Sequence, residues 1–283
     1  MSRSTEFETL PEALQKKYFH LREYLKSLGS VAVAFSGGVD STFLMFTAHD
    51  LLDDLAIAVT ASSLSFPERE FNEAKEFCKE HGIRQIVVES EEMEIEGFRN
   101  NPPDRCYLCK RELFQNILNT AQQEGLAFVI EGSNVDDLSD YRPGLQAIAE
   151  LGIKSPLREA GMTKQDIRDL SEALGLPTWD KPSFACLASR FVYGETITEE
   201  KLTMVGKAEQ FLLDLGFRQV RVRIHDKIGR IEVDSADLPR VVEPEIRDQI
   251  VPYFKDLGFT YVTLDLSGYH TGSMNKTLPD NGN

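Results

Sequence analysis

A run of glycine and hydroxyl residues, SGGVDST at 36–42, is the first segment whose composition suits a chemical task. It follows the apolar run VAVAF and precedes the helical pattern FLMFTAHDLL. Glycines let the backbone approach a phosphate closely, and the first turn of a helix offers free N–H groups to an anion. The run lacks the lysine of a Walker-type loop. We therefore expect an anion cradle, rather than a plain glycine-rich turn, at Ser36, Gly37, Gly38, Ser41 and Thr42.

A second polar segment, GSNVDDLSDYRPG at 132–144, follows the apolar run LAFVI. In parallel sheets, ligands bind beyond the carboxyl ends of the strands, so this segment is expected to meet the anion cradle. Asp136, Asp137 and Asp140 are candidates to hold magnesium or a ribose, and Arg142 is a candidate to contact an anionic group. The alternative is a solvated acidic loop with a turn at Arg-Pro-Gly.

The four cysteines fall into two classes. Cys78 lies on an apolar helical face, which is typical of a buried structural thiol. Cys106 and Cys109 form a CxxC pair just before a predicted helix, and Cys186 lies far along the chain. Three thiolates are fewer than the four ligands of a usual structural zinc site, whereas three on an iron–sulfur cube would leave one iron open. A zinc site or a redox disulfide remains the alternative.

Two arginines alternate with apolar residues in the segment RQVRVRIH. A β-strand would bury the apolar set and place Arg221 and Arg223 together on the opposite face. Arginine suits phosphate and carboxylate, so this face is a candidate anion site. Cross-strand pairing with Glu232 or Asp234 is the structural alternative. Glu209, on the preceding predicted helix, and Glu232 are candidates to orient a magnesium ion or a substrate.

The elements that must position these residues form two groups. Apolar runs at 31–35, 55–59, 83–88 and 126–132 alternate with helical patterns, which predicts a parallel α/β sheet. After about residue 190 the pattern changes to α-β-β-α-β. We therefore predict a Rossmann-like α/β domain over 1–188 and a smaller α+β domain, for substrate binding or oligomerisation, over 189–283.

Composition excludes several classes of function. The 283 residues carry 31 basic and 46 acidic side chains, a net charge of −15, which argues against broad attraction to nucleic acid or anionic lipid. No run approaches the length of a membrane span, and the N-terminal segment lacks the apolar core of a signal peptide. We expect a cytoplasmic protein without a membrane partner.

The SGGVDST run after a first strand resembles the pyrophosphate loop of the N-type ATP pyrophosphatases, the PP-loop enzymes of the HUP-like class. Further motifs narrow the resemblance to the LarE family of sulfur transferases, which serve the nickel-pincer cofactor of lactate racemase. These motifs are SNVDD, DYRPG, the stretch from Cys186 to Gly194, GFRQVRVRIH, IGRIEV and YVTLDLSGYHTGSMN, and the match runs from about residue 15 to 276.

The resemblance implies a function and a set of site residues. It implies ATP-dependent adenylation of a carboxylate of pyridinium-3,5-biscarboxylic acid mononucleotide, then attack by sulfur to give a thiocarboxylate and AMP. Cys186 matches the sulfur-bearing cysteine. Magnesium is expected on Asp40, the nucleotide also on Gly132, Asp137 and Arg142, and the substrate phosphate on Arg190, Arg221 and Arg223. The catalytic set expected is Cys186, Asp40, Glu209 and Glu232.

The two additional cysteines separate this chain from the single-cysteine members, whose cysteine gives up its sulfur. Cys106, Cys109 and Cys186 resemble the set that holds a [4Fe-4S] cluster in three-cysteine variants, with sulfide or another sulfur donor as the source. A sacrificial Cys186, a tRNA thiouridine synthase and a nucleotide sensor with structural zinc remain the alternatives. A glutamine-dependent amidotransferase is disfavoured, and we expect a homo-oligomer.

Overall fold

The computed structural model describes residues 7–139, 143–270 and 272–273. The described part divides into two compact units. The first unit takes in the chain up to Glu92 together with Cys106–Phe184, and the second takes in Met93–Arg105 and the chain from Ala185 onward. The domain functions expected for 1–188 and 189–283 stay predictions.

The first unit contains a four-stranded parallel sheet. Its strand order is β3-β2-β1-β4, with β1 at Val31–Ala34, β2 at Ala56–Ser62, β3 at Gln85–Glu89 and β4 at Phe128–Ile130. In register, Val33 of β1 pairs with Ala58 of β2 on one side and with Ile130 of β4 on the other. The parallel sheet predicted from the alternating pattern is therefore confirmed.

Helices connect and cover these strands. They are α1 (Glu12–Leu28), α2 (Val39–Leu52), α3 (Glu68–Glu80), α4 (Arg105–Gln123), α5 (Gly144–Glu150), α6 (Pro156–Glu159) and α7 (Lys164–Ala173). The predicted leading helix is confirmed, because α1 buries Leu14, Tyr18, Leu21, Leu25 and Leu28 at helical spacing. Helix α4 begins at Arg105 rather than near Lys110, so the CxxC pair lies within its first two turns and not before it.

The second unit contains a three-stranded sheet in the order β5-β6-β7. Strands β5 (Val220–His225) and β6 (Ile228–Val233) are antiparallel, and β7 (Tyr261–Leu264) runs parallel to β6. Three helices accompany this sheet: α8 (Glu199–Asp214), α9 (Leu238–Val242) and α10 (Pro244–Asp256). The predicted α-β-β-α-β order is confirmed, except that the second helix is interrupted before Pro244, whose ring cannot continue a helical hydrogen-bond ladder.

The segment Met93–Arg105 belongs to the second unit although it lies within the sequence of the first. Asn101 is fully buried, and its Nδ2 donates to the carbonyl of Val192 at 2.6 Å. Arg105 donates through Nη1 to the carbonyl of Ala188 at 2.7 Å. No helix in the described part of the chain is both long and apolar enough to cross a lipid bilayer.

Candidate active site

The SGGVDST loop joins β1 to α2 in the first unit. Gly37 has φ +68°, which favours glycine, and Gly38 is the N-terminal cap residue of α2. Ser41 Oγ lies 3.1 Å from Ser36 Oγ and donates to the Gly38 carbonyl at 3.3 Å. Thr42 is fully buried, and its Oγ1 has no hydrogen-bond partner. A hydroxyl without a partner beside a free helix N-terminus suits a phosphate oxygen.

The loop after β4 approaches the SGGVDST loop closely. A Cβ on Gly132 would lie 3.1 Å from the backbone nitrogen of Ser41, so only glycine fits there without a shift. Asn134 Nδ2 donates to Asp40 Oδ1 at 3.3 Å. The two segments therefore meet beyond the carboxyl ends of adjacent parallel strands, as the sequence predicts.

Asp40 is held by a lysine that sequence reasoning did not identify. Lys164, the first residue of α7, places its Nζ 2.5 Å from Asp40 Oδ2. The backbone N–H of Lys164 donates to Asp136 Oδ2 at 2.8 Å. Both side chains of the Asp40–Lys164 pair stay partly exposed, so the pair lies where a cation or phosphate can reach it. Carboxylate oxygen suits magnesium, so Asp40 fits the ion expected there.

Of the other residues predicted to hold nucleotide or magnesium, the structure describes Asp136 and Asp137. Asp137 accepts a hydrogen bond at Oδ2 from the backbone N–H of Asn134 at 2.9 Å, which shapes the loop. Asp136 contacts Lys164 as above. The predictions for Asp140 and Arg142 lie outside the described residues.

A second lysine, Lys181, contacts the SGGVDST loop in the first unit. Its Nζ donates to the carbonyl of Gly37 at 3.0 Å and lies within 2.6 Å of Glu70 and 2.7 Å of Glu73. Glu70 is buried, and burial raises its pKa although Lys181 acts against the shift. Sequence reasoning missed this cluster because its members come from three separate segments.

The thiols differ in environment. Cys78 is buried, and burial raises its pKa to about 12, which suits the structural role predicted for it. Cys106 and Cys109 are half-buried on the first two turns of α4, and Cys186 is exposed. Thiolates are suitable donors for iron or zinc. Among the residues described, no group of three or more His, Cys, Asp and Glu side chains is placed to hold a metal ion.

In the second unit, Arg190 supports the backbone that carries Cys186. Arg190 is fully buried, and its Nη1 donates to the carbonyls of Ala185 and Cys186 at 2.8 and 3.1 Å. Its Nε and Nη2 donate to the two carboxylate oxygens of Glu209, each at 2.8 Å. Burial alone lowers the pKa of Arg190, but the attraction of Glu209 and of a Cys186 thiolate gives a net rise. This guanidinium therefore has protein acceptors on every nitrogen.

Arg221 lies in the same buried group. It is 3% exposed, donates through Nη1 to the Val220 carbonyl at 2.7 Å, and lies over the ring of Tyr269 at 5.1 Å. Burial, and next the charge of Arg190, lower its pKa to about 10. The desolvated positive charge favours a bound anion.

Arg223 makes the cross-strand ion pair that the sequence offered as the structural alternative. Its Nη2 donates to Glu232 Oε2 at 3.1 Å and to Ser273 Oγ at 2.8 Å, and its Nη1 donates to the Ser189 carbonyl at 2.8 Å. Arg230 also pairs with Glu232, at 3.0 Å. The two arginines of β5 share one strand face as predicted, but that face is buried rather than open.

The buried cluster as a whole is positively charged. Arg190, Arg221 and Arg223 contribute three positive charges, and Glu209 and Glu232 contribute two negative charges, so the sum is +1. Glu209 also accepts from the backbone N–H of Val222 at 2.8 Å, which joins α8 to β5. The arrangement can bind an anion beside the backbone that carries an exposed thiol.

No family model matches the chain. The Synechocystis protein slr1717 is 43% identical over 265 residues, which is 94% of this chain and 99% of that protein. Pyridinium-3,5-bisthiocarboxylic acid mononucleotide synthase of Lactiplantibacillus plantarum is 40% identical over 90% of this chain and 92% of that protein. A glutamine-hydrolyzing GMP synthase component of Thermoplasma volcanium is 23% identical over 62% of this chain and 61% of that protein, a distant similarity that fits a PP-loop fold.

Proposed function

The chain belongs to the family of the pyridinium-3,5-bisthiocarboxylic acid mononucleotide synthase, and from this membership we propose that it is an ATP-dependent sulfur transferase acting on a pyridinium mononucleotide. The relationship over nearly the full length of both proteins carries the proposal. The SGGVDST loop and the buried arginine cluster support it, since the reaction needs one site for a nucleotide and one for an anionic substrate.

The proposed reaction has two steps. First, a carboxylate oxygen of pyridinium-3,5-biscarboxylic acid mononucleotide attacks the α-phosphorus of ATP, and the bond to pyrophosphate breaks. Second, a sulfur nucleophile attacks the acyl carbon, the C–S bond forms, and AMP leaves with the carboxylate oxygen. Adenylation must come first, because an unactivated carboxylate has no good leaving group.

Residues of the first unit perform the nucleotide step. The N–H groups at the start of α2, with Thr42 Oγ1, receive the pyrophosphate as its charge develops. Asp40 would hold magnesium, which neutralises phosphate charge when bound. Lys164, which pairs with Asp40, would give a bound phosphate the positive charge that a Walker-type lysine gives in other loops. Gly132 keeps the second loop close without obstructing the cradle.

Residues of the second unit hold the substrate. Arg221, with the charge excess of the buried cluster, binds the mononucleotide phosphate. Arg223 has protein acceptors on all its nitrogens, as Arg190 does, so it contributes positive charge beside Arg221 rather than a direct contact with substrate. Arg190, expected from the sequence to touch substrate, has all its nitrogens occupied, so we assign it to holding the backbone of Cys186. Glu209 and Glu232, expected to be catalytic, are assigned to orienting these arginines.

The sulfur step has two candidate forms. Cys186 is an exposed thiol and is the proposed site of sulfur delivery. A [4Fe-4S] cluster bound by Cys106, Cys109 and Cys186, with sulfide as the source, is the form that three cysteines favour. Cys186 as a single-use donor is the other. Iron and acid-labile sulfide, measured after anaerobic reconstitution of the wild type and of each Cys→Ala variant, separate them: iron lost in all three variants supports the cluster.

The decisive experiment supplies ATP, magnesium, sulfide and the biscarboxylic mononucleotide, and measures pyrophosphate release and the mass of the product. Exchange of a carboxylate oxygen for sulfur together with pyrophosphate is expected. Arg221→Ala should raise the KM for the mononucleotide while the affinity for ATP stays the same, and the exposed Arg218→Ala is its control. Pyrophosphate released only with bulk tRNA would indicate a thiouridine synthase instead.

A further inference from the structure

Lys181 has a set of partners that joins three segments of the first unit. Its ammonium group has three N–H donors and three acceptors: the Gly37 carbonyl at 3.0 Å, Glu70 at 2.6 Å and Glu73 at 2.7 Å. The side chain is 11% exposed, so water competes little for these bonds. Glu70 and Glu73 both lie on α3, and Gly37 lies in the SGGVDST loop.

Helix α3 also supports the loop by direct packing. A Cβ on Gly37 would lie 3.1 Å from the Cβ of Ala74, so the loop backbone rests against the helix. Next to this contact, the ammonium group of Lys181 links Glu70 and Glu73 of α3 to the carbonyl of Gly37. The loop conformation thus depends on α3, which the SGGVDST sequence alone does not reveal.

The hydrogen bond from Lys181 sets the direction of the peptide group between Gly37 and Gly38. A trans peptide is planar, with its C=O and N–H pointing in opposite directions. Because Lys181 holds the carbonyl of Gly37, the N–H of Gly38 is fixed pointing away from the lysine. Gly38 caps the helix whose N-terminus forms the anion cradle. A rotated peptide would turn a carbonyl oxygen, rather than an N–H, toward a phosphate.

The backbone of Lys181 is anchored as well. Arg168 of α7 donates through Nη2 to the Lys181 carbonyl at 2.7 Å and through Nη1 to the Trp179 carbonyl at 2.5 Å. The ammonium group is therefore held from both the backbone and its acceptors. An immobilised cation of this kind loses little side-chain entropy when a nucleotide binds.

We propose that Lys181 is a positioning residue for the nucleotide site, which acts by locking the Gly37–Gly38 peptide with its N–H directed into the phosphate cradle. The inference deepens the proposed function and rests on it, since it concerns the same nucleotide loop. Lys181 does not itself touch the phosphate. Glu70 and Glu73 hold its ammonium group to α3, the ammonium group holds the Gly37 carbonyl, and the loop binds the anion.

The test uses the full chain and α,β-methylene-ATP with magnesium, and therefore does not need the sulfur substrate. In Lys181→Met, the dissociation constant measured by calorimetry should rise about tenfold or more, because a charge-assisted hydrogen bond to the loop is lost. Amide exchange of a peptide covering 36–42 should become faster without nucleotide. Lys181→Arg should recover most of the affinity, and the exposed Lys75→Met on α3 should behave as wild type.

A triple variant separates positioning from charge balance. Lys181→Met with Glu70→Gln and Glu73→Gln leaves no unpaired buried carboxylate, so it should fold with a melting temperature near that of the wild type. We expect its affinity for the analogue to remain weak. Wild-type affinity in the triple variant, or unchanged affinity and exchange in Lys181→Met, would overturn the inference. A wild type that fails to bind the analogue at all would instead refute the proposed function.

Discussion

The carboxylate of Glu209 receives two parallel hydrogen bonds from the guanidinium of Arg190, each 2.8 Å long, with both side chains buried. This pairing places a charge from α8 next to the residue that holds the carbonyls of Ala185 and Cys186. The position of the thiol-bearing backbone thus depends on an acid that is 23 residues further along the chain.

Removing that acid should cost stability and function together. In Glu209→Gln, the buried Arg190 loses its counter-charge, and breaking a buried pair costs about 3–5 kcal/mol. We expect a fall of that size in the free energy of unfolding from urea titration, together with loss of sulfur transfer. The exposed Glu199→Gln at the start of the same helix is the control. A Glu209→Gln protein as stable as the control would contradict the structural role.

Crowding at Gly132 should weaken nucleotide binding. In Gly132→Ala the new methyl group would press on the backbone nitrogen of Ser41 and displace the cradle. We expect weaker binding of an ATP analogue by calorimetry. Gly125→Ala is a matched control, since Gly125 has φ +70° with no atom within 4 Å of a Cβ. It should lose about 1–2 kcal/mol of stability through backbone strain and keep the wild-type affinity.

The cysteines should differ in their rates of alkylation. At neutral pH, iodoacetamide should modify the exposed Cys186 readily, whereas Cys78 should react only after unfolding, because it is buried and has a pKa of about 12. Peptide mass spectrometry with and without urea measures both rates in one sample. Equal labelling of the two thiols in the native protein would contradict the burial of Cys78.

A buried carboxyl should make stability depend on pH. Burial raises the pKa of Glu92 above its ordinary value of 4.5, although the N–H of Ser65 donates to Oε1 at 2.8 Å. The folded state therefore prefers the protonated form, and stability falls as pH rises through 4.5 and then through the folded pKa. Glu92→Gln should melt above the wild type at pH 8, and the difference should vanish toward pH 4. The neighbouring exposed Glu91→Gln should show no such trend.

The geometry of the SGGVDST loop and of the Gly132 loop beside it was largely predictable because its signals are local. A buried strand, a glycine loop and a helix follow one another within 36–42 and its neighbours, and parallel pairing brings the Gly132 loop to the same edge. The contacts of Lys164 and Lys181 were not predictable in this way. Each lysine meets a partner more than 100 residues away, so no spacing rule connects them.

The arrangement of the buried arginines was predictable only in part. Strand periodicity placed Arg221 and Arg223 on one face and also offered Glu232 as a partner. Periodicity does not reveal what covers a face, and Ser189 and Ser273 contribute bonds to Arg223 from distant positions. Periodicity likewise does not reveal that Arg190 is fully buried and paired with Glu209, so the sequence alone led to an expected contact between Arg190 and substrate.

The discontinuous second unit has a consequence for synthesis of the chain. Asn101 and Arg105 are buried against carbonyl groups of residues 188–192, which follow Arg105 by 83 positions or more. At about 5–20 residues per second, a ribosome needs about 4–17 s to make that stretch. During this interval the first unit is nearly complete while the segment 93–105 waits for its acceptors. A nascent chain halted before residue 188 therefore leaves Asn101 and Arg105 without the carbonyl groups that pair with them in the finished protein, so water must hydrate these side chains until the second unit is made.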